Sequence, residues 1–262
     1  MRKQLGNLKA NLRIFGFDFN LMKGALRGLP LYLNDYKELK AQKGADAEFP
    51  FGDRKLMLTD RFAESGSARG HYFHQDLLVA QRIFEANPVK HVDIGSRIDG
   101  FIAHVASFRE VEVFDIREMK SLSKNITYKQ ADFIKLPEGM MEYCDSLSAL
   151  HSIEHFGLGR YGDPIDYHGH TKAIENISKI LKAGGTFYFS APIGPQRIEF
   201  NAHRVFSLNY LSSVFSEKFE IVNFSYVDDG GDLHENQPFV GSNFERNYGC
   251  HYGCGIFELI RK

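Results

Sequence analysis

The chain has 262 residues, 43% hydrophobic and 25% charged, which suits one large folded domain with an extension. Its 32 Lys and Arg against 33 Asp and Glu leave no bulk field that would favour nucleic acid. Cys144, Cys250 and Cys254 make no disulfide framework, and no apolar run approaches the roughly 18 residues of a membrane span, so a soluble, cytoplasmic protein is expected.

Residues 1–70 read as a helical and loop extension. Between Met1 and Arg27 the basic residues Arg2, Lys3, Lys9, Arg13, Lys23 and Arg27 stand against one acid, Asp18. Leu5, Leu8, Leu12, Ile14 and Phe15 recur there at near-helical spacing. Such a segment either packs on the main domain or rests on an anionic membrane or a partner protein. A helix over Leu31 to Gln42 is expected to start after Pro30 and close near Gly44. Glu48 to Gly70 reads as a loop with one short strand at Leu56 to Leu58.

Residues 71–262 alternate between helical and strand patterns. Gly70 to Asn87 predicts an amphipathic helix with Leu77, Leu78, Ala80, Ile83 and Phe84 on one face, stopped by Pro88. Short apolar strands are expected at His91–Ile94, Val111–Asp115, Ile126–Gln130, Asp145–Leu150 and Thr186–Ser190. Helices are expected from Ile98 to about Ser107 and from Thr171 to Leu181. A helix at Leu208–Phe215 and strands at Phe219–Tyr226 and Gly255–Ile260 complete the chain. This order predicts an α/β fold: a Rossmann-like, mostly parallel sheet with helices on both faces.

Chemistry-bearing residues fall where that sheet would end. Val92 to Phe101 runs from strand through glycine turn to helix start, a nucleotide-binding corner that holds Asp93, Gly95, Ser96, Arg97 and Gly100. Asp115 follows Gly95 by twenty positions, where a strand-end carboxylate accepts from both ribose hydroxyls. His151, Glu154, His155 and His203 lie on loops at the same sheet edge and are candidates for catalytic proton transfer. For His151 and His155 the alternative is capping and packing at the strand–helix corner. Arg204 either recognises a substrate carboxylate or phosphate or forms a structural ion pair. Asp163, His168 and His170 are weak candidates for a divalent metal, without a full ligand spacing, in what otherwise reads as a polar lid. Cys250 and Cys254 have the wrong spacing for zinc, and Cys254 is expected as a small buried residue opening the last strand.

In these motifs the chain resembles the class I methyltransferases that use S-adenosylmethionine. Val92-Asp93-Ile94-Gly95 looks like the family's first motif, Asp115 like its ribose-binding acid and Asp132 like the acid that meets the adenine amine. Asp145 to Phe156 looks like the fourth motif, and Leu181-Lys182-Ala183-Gly184-Gly185 like the turn before strand five. More narrowly, Gly70 to Asp76, His91 to Arg97, His151 to His155 and Phe200 to Ser207 resemble domain of unknown function two-six-eight. The chain departs from the first motif at Arg97 and Asp99, which stand where its second and third glycines fall. Arg97 therefore either reshapes the pocket or blocks it, and with the cofactor placed as in the family it would pair with the cofactor's carboxylate.

The resemblance implies S-adenosylmethionine held by Asp93, Gly95, Ser96, Arg97, Gly100, Asp115, Asp132 and His151. It also implies O-methylation of a small-molecule or glycan hydroxyl, with His-assisted or metal-assisted deprotonation. Neutral net charge and loops rich in His, Tyr, Asn and Asp suit a polyhydroxylated acceptor. The alternative is a catalytically inactive methyltransferase-like module that binds a partner or membrane surface through residues 1–70.

Overall fold

The computed structural model describes residues 12–44, 48–120, 123–136 and 138–262. The basic and apolar pattern expected over Met1 to Asn11 lies outside them. Two compact units are present, Met1–Ser67 and Ala68–Lys262, so the division falls just before the expected one. No described helix is long and apolar enough to cross a membrane.

In the first unit α1 spans Phe19–Lys43. The Asp18 carboxylate caps it, accepting from the amides of Asn20 (2.9 Å) and Leu21 (3.1 Å). Pro30 was expected to start a helix; it lies inside one. It removes the donor for the Leu26 carbonyl, a loss that water can make good because Leu26 and its surroundings are exposed. Gly44 ends the helix at φ +52, as expected. Leu56 to Leu58 forms no strand: the segment crosses α1 where Gly28 has no side chain, and a Cβ there would sit 1.9 Å from the Leu58 oxygen.

The second unit is built on one eight-stranded sheet. Its strands are β1 (His91–Ile94), β2 (Val111–Asp115), β3 (Ile126–Gln130), β4 (Cys144–Leu150) and β5 (Leu181–Ile193). The rest are β8 (Phe219–Val227), β9 (Leu233–His234) and β10 (Gly253–Arg261), while β6 (Arg197–Glu199) and β7 (His203–Val205) form a separate hairpin. The sheet order is β3-β2-β1-β4-β5-β10-β8-β9. Strands β1 to β5 pair in parallel, and β10 inserts antiparallel between β5 and β8. The order reverses between β1 and β4, so their carboxyl ends open a crevice at the topological switch point.

Helices cover both faces. On one, α2 (His71–Ala86) and α3 (Ala103–Ala106) pack Val79, Ala80, Ile83 and Val105 with Val111, Val113 and Ile256. On the other, α4 (Gly169–Ile180) and α5 (Leu208–Phe215) bury Ile174, Ile177, Leu211 and Phe215 against Val92, Leu147 and Phe189. A short helix, α6 (Ser242–Glu245), precedes β10.

The buried face of α2 differs from the hydropathy reading. Gln75 and Asp76 are buried, whereas Leu77 and Phe84 are exposed. The helix turns its polar pair inward because Gln75 Oε1 accepts from the Ser190 hydroxyl at 2.6 Å, and Gln75 in turn donates to Asp76 at 3.0 Å. Strand β5 is also longer than expected. Lys182 to Gly185, read as a turn, joins the strand, whose pairing with β4 shifts register between Cys144 and Ser146.

Candidate active site

Two turns at the crevice are welded together by hydrogen bonds. Asp93 is fully buried and accepts from the Ser96 amide (2.9 Å), the Ser96 hydroxyl (2.6 Å) and the Ser148 hydroxyl (2.5 Å). Ser96 Oγ accepts in turn from the Leu150 amide at 3.0 Å. Burial outweighs these bonds and pushes the Asp93 carboxyl up to about 7. Gly95 sits at φ +72, and a Cβ there would meet Ser152 Oγ at 2.5 Å. Glycine is thus required for β1's turn to lie against β4's.

Beyond this weld lies a cavity at the carboxyl ends of β1 and β4. Gly95, Asp115, Asp132, His151 and His155 line it, together with the apolar Ile116, Phe133 and Phe156. Other expected contacts are placed elsewhere. Asp93 and Ser96 face inward and hold the turn, so they position the cavity wall and do not line it. Gly100 packs on Asp76, where a Cβ would come within 2.6 Å of Oδ2. Arg97 is half-exposed in a neighbouring groove with Asp115, paired with Asp99 through both carboxylate oxygens at 3.1 Å and stacked 4.9 Å from the Tyr72 ring.

Arg117 was not foreseen. It grips Asp115 at 3.0 Å (Nε to Oδ1) and 2.6 Å (Nη2 to Oδ2), and its guanidinium lies 4.3 Å over the Tyr161 ring. Asp132 accepts from the Ile134 amide at 3.0 Å through one oxygen, leaving the other for a ligand.

The histidines divide by their partners. His151, just after β4, takes φ +47, a strained backbone for a residue with a Cβ. Its Nδ1 bonds Glu154 Oε1 at 2.7 Å, with both side chains buried. Burial alone would depress the imidazole, but the Cys254 thiol and the Glu154 carboxylate raise it well above its ordinary value. Burial would likewise raise Glu154, and His151 holds it low. Each partner thus favours the charged form of the other.

His155 donates from Nδ1 to the Ala202 carbonyl at 2.6 Å, because a carbonyl can only accept. Its Nε2 keeps a lone pair, and burial lowers its pKa. His203, on β7, pairs with Glu199 at 3.3 Å and packs 5.1 Å from the Tyr252 ring, off the cavity wall.

A loop over 156–167 roofs the cavity through Tyr161 and Asp163. Asp163 accepts from the amides of Gly157 (2.7 Å) and Tyr161 (3.2 Å), which closes the loop on itself. Arg204 is buried and donates to the carbonyls of Glu154, Phe156 and Tyr167, so it pins both ends of the loop. Arg204 forms no ion pair among the described residues. His168 is placed at the start of α4, and His170 Nε2 bonds the Tyr210 hydroxyl at 2.6 Å. Asp163, His168 and His170 do not converge on one point, and Cys250 is not gathered with Cys254. The donors that do converge among the described residues are His71, His151 and Cys254.

The profile of a family described as "Caenorhabditis protein of unknown function, DUF268" matches residues 103–236, half of the chain. The chain belongs to that family. No curated protein matches the DUF268 chain significantly. Among solved structures it is similar to the [4+2]-cyclase SpnF, at 14% identity and TM-score 0.50, over 81% of this chain and 85% of that one. It is also similar to a protein described as a sarcosine dimethylglycine methyltransferase from Galdieria sulphuraria, at 13% identity and TM-score 0.50, over 72% and 85%. The N-methyltransferase NodS from Bradyrhizobium japonicum, solved with S-adenosyl-L-homocysteine, aligns at 13% identity and TM-score 0.48, over 73% and 88%. The DUF268 chain has the class I methyltransferase fold: a mostly parallel sheet with β10 inserted antiparallel beside β5. That one such neighbour is a cyclase shows that the fold alone does not name the chemistry.

Proposed function

We propose that this protein is an S-adenosylmethionine-dependent methyltransferase that acts on a hydroxyl of a small molecule or glycan. The observation that carries the reading is the cavity at the switch point, lined by Asp115 and Asp132 and by His155, whose Nδ1 is spent on the Ala202 carbonyl and whose Nε2 lies 3.7 Å from Glu154 Oε1. The residues fit the cofactor: Asp115 would take the ribose hydroxyls, Asp132 the adenine amine, and Ile116 and Phe133 the flat base. When bound, S-adenosylmethionine supplies an electrophilic methyl group.

The protein's part is to position, to dry the site and to move one proton. The weld through Asp93 and Ser96 fixes the cavity wall, and the Tyr161 loop excludes water. The acceptor proton passes to Nε2 of His155, whose Nδ1 keeps its own proton, donated to the Ala202 carbonyl. His151 is the poorer candidate for that base, since its Nδ1 is spent on Glu154, which favours the protonated imidazole. Glu154 acts from behind, by orienting His151.

A second reading, a methyltransferase-like binding module without turnover, draws on the Arg117–Asp115 grip, which occupies the carboxylate that ribose would need. In that reading contact falls to the N-terminal unit, where α1 exposes Leu26, Leu29 and Leu33 beside Lys23 and Arg27, features of a membrane-surface or partner-binding helix. Turnover separates the two. Formation of S-adenosylhomocysteine with polyhydroxylated acceptors, lost in His155→Gln, supports the enzyme. Absence of turnover across small hydroxylated compounds and glycans, from a protein that binds the cofactor, supports the module.

A further inference from the structure

His71, His151 and Cys254 each bring one ligand atom to a common point, all three atoms lying within 4.8 Å of one another. They come from three separate elements: the first residue of α2, the turn after β4, and β10. The two imidazoles are parallel, with ring centroids 5.2 Å apart. His151 has spent Nδ1 on Glu154, while its Nε2 is buried with no partner among the described residues. The side chain is 5% exposed, so bulk water does not satisfy that nitrogen either. Cys254 is fully buried, and its sulfur, beside the His151 imidazole, makes long contacts to Gln75 Oε1 at 3.6 Å and to the Gly255 carbonyl at 3.7 Å.

We propose that His71, His151 and Cys254 bind one divalent transition metal of the zinc class and leave its fourth position open. One thiolate with two imidazoles suits zinc and excludes magnesium or calcium, which need oxygen donors. Three protein ligands are the complement of a zinc that keeps a place for water or substrate. Tetrahedral bonding at the usual Zn–N and Zn–S lengths sets the donors about 3.4–3.6 Å apart. The present spread therefore closes by a small movement, which His71, the least buried of the three, can supply. Glu154 fixes the orientation of His151 through Nδ1, the carboxylate–histidine–metal arrangement found behind many such ligands. Binding displaces two protons, from the thiol and from Nε2 of His151.

The site stands on its own donor set and does not rest on the methyl-transfer reading. Because His151 also lines the cavity, the open position adjoins the place assigned to the acceptor. There a metal would lower the pKa of a bound hydroxyl.

The test uses the full chain, stripped with a chelator and titrated with Zn²⁺ or Co²⁺. The expected result is one metal per chain, with cobalt giving a thiolate-to-metal charge-transfer band and tetrahedral visible absorption. Cys254→Ser should lose the band, and His71→Gln, which removes a ligand, should weaken zinc binding by more than the about 10–100-fold typical of losing a hydrogen-bond partner behind a ligand. His168→Gln should change nothing. Substoichiometric zinc, or a thiolate band that survives in Cys254→Ser, overturns the proposal. If Cys254→Ser does not fold, the wild-type cobalt spectrum and His71→Gln decide the matter. The cofactor melting shift is a separate measurement, so either reading can fail alone.

Discussion

The Arg117 guanidinium holds both oxygens of Asp115, at 3.0 Å and 2.6 Å, across the mouth of the cavity. Ribose hydroxyls and Arg117 compete for the same carboxylate. Arg117 is half-exposed, and an ion pair of that kind contributes roughly 0–1 kcal/mol. Arg117→Met should therefore tighten S-adenosylhomocysteine binding by about two- to fivefold, measured by calorimetry. Weaker binding in the variant would show that Arg117 holds the ligand and does not screen it out.

His155 is expected to be neutral at pH 7, protonated on Nδ1, with the lone pair on Nε2 near Glu154 Oε1. Burial is the main cause of its lowered pKa, so its midpoint should lie below the ordinary 6.5. An NMR titration of the imidazole reads both the tautomer and the midpoint. A midpoint above 6.5, or a proton on Nε2 at pH 7, contradicts its role as base.

Asp93 sets a pH dependence of stability with a definite sign. Its carboxyl is raised from 3.8 to about 7 in the folded chain, so between those values the folded state holds a proton that the unfolded state has lost. The stabilisation is present in full below 3.8 and is lost as pH rises through 7. Asp93→Asn removes this contribution, so its melting temperature should gain on the wild type as pH rises from 4 to 8. A difference that is flat, or that shrinks with pH, contradicts the account.

Arg204 pins the cavity roof through the carbonyls of Glu154, Phe156 and Tyr167. Arg204→Met leaves these acceptors without their donor and should cost about 2–3 kcal/mol, read from urea denaturation. Limited proteolysis should then cut first within 156–167. Cleavage elsewhere with this loop intact would show that Arg204 is not its anchor.

The parallel half of the fold is legible in the sequence because β1 and β2 are short apolar runs with turn residues at their ends. Buried polar contacts are not so legible. The face of α2 is rotated from its hydropathy because Gln75 finds Ser190, a residue far along the chain. Lys182 to Gly185 reads as a turn, yet β5 carries these residues into the sheet. At the site, Asp115, Asp132, His151 and His155 reach the cavity because each ends or follows a strand. Asp93, Ser96 and Gly100 share that neighbourhood but point into the protein, and a turn residue's direction cannot be read from its spacing. His71 and Cys254 meet only through the topology, since no local motif joins the start of α2 to β10.

The proposed methyl transfer requires the cavity beside β1 and β4 to bind S-adenosylmethionine through Asp115. Thermal melting with S-adenosylmethionine or S-adenosylhomocysteine tests it most directly. At a ligand concentration one hundred times the dissociation constant, the fold should gain about 2.7 kcal/mol, and Asp115→Ala should abolish the shift. No shift for the wild type at millimolar ligand, or an undiminished shift in Asp115→Ala, would contradict the claim.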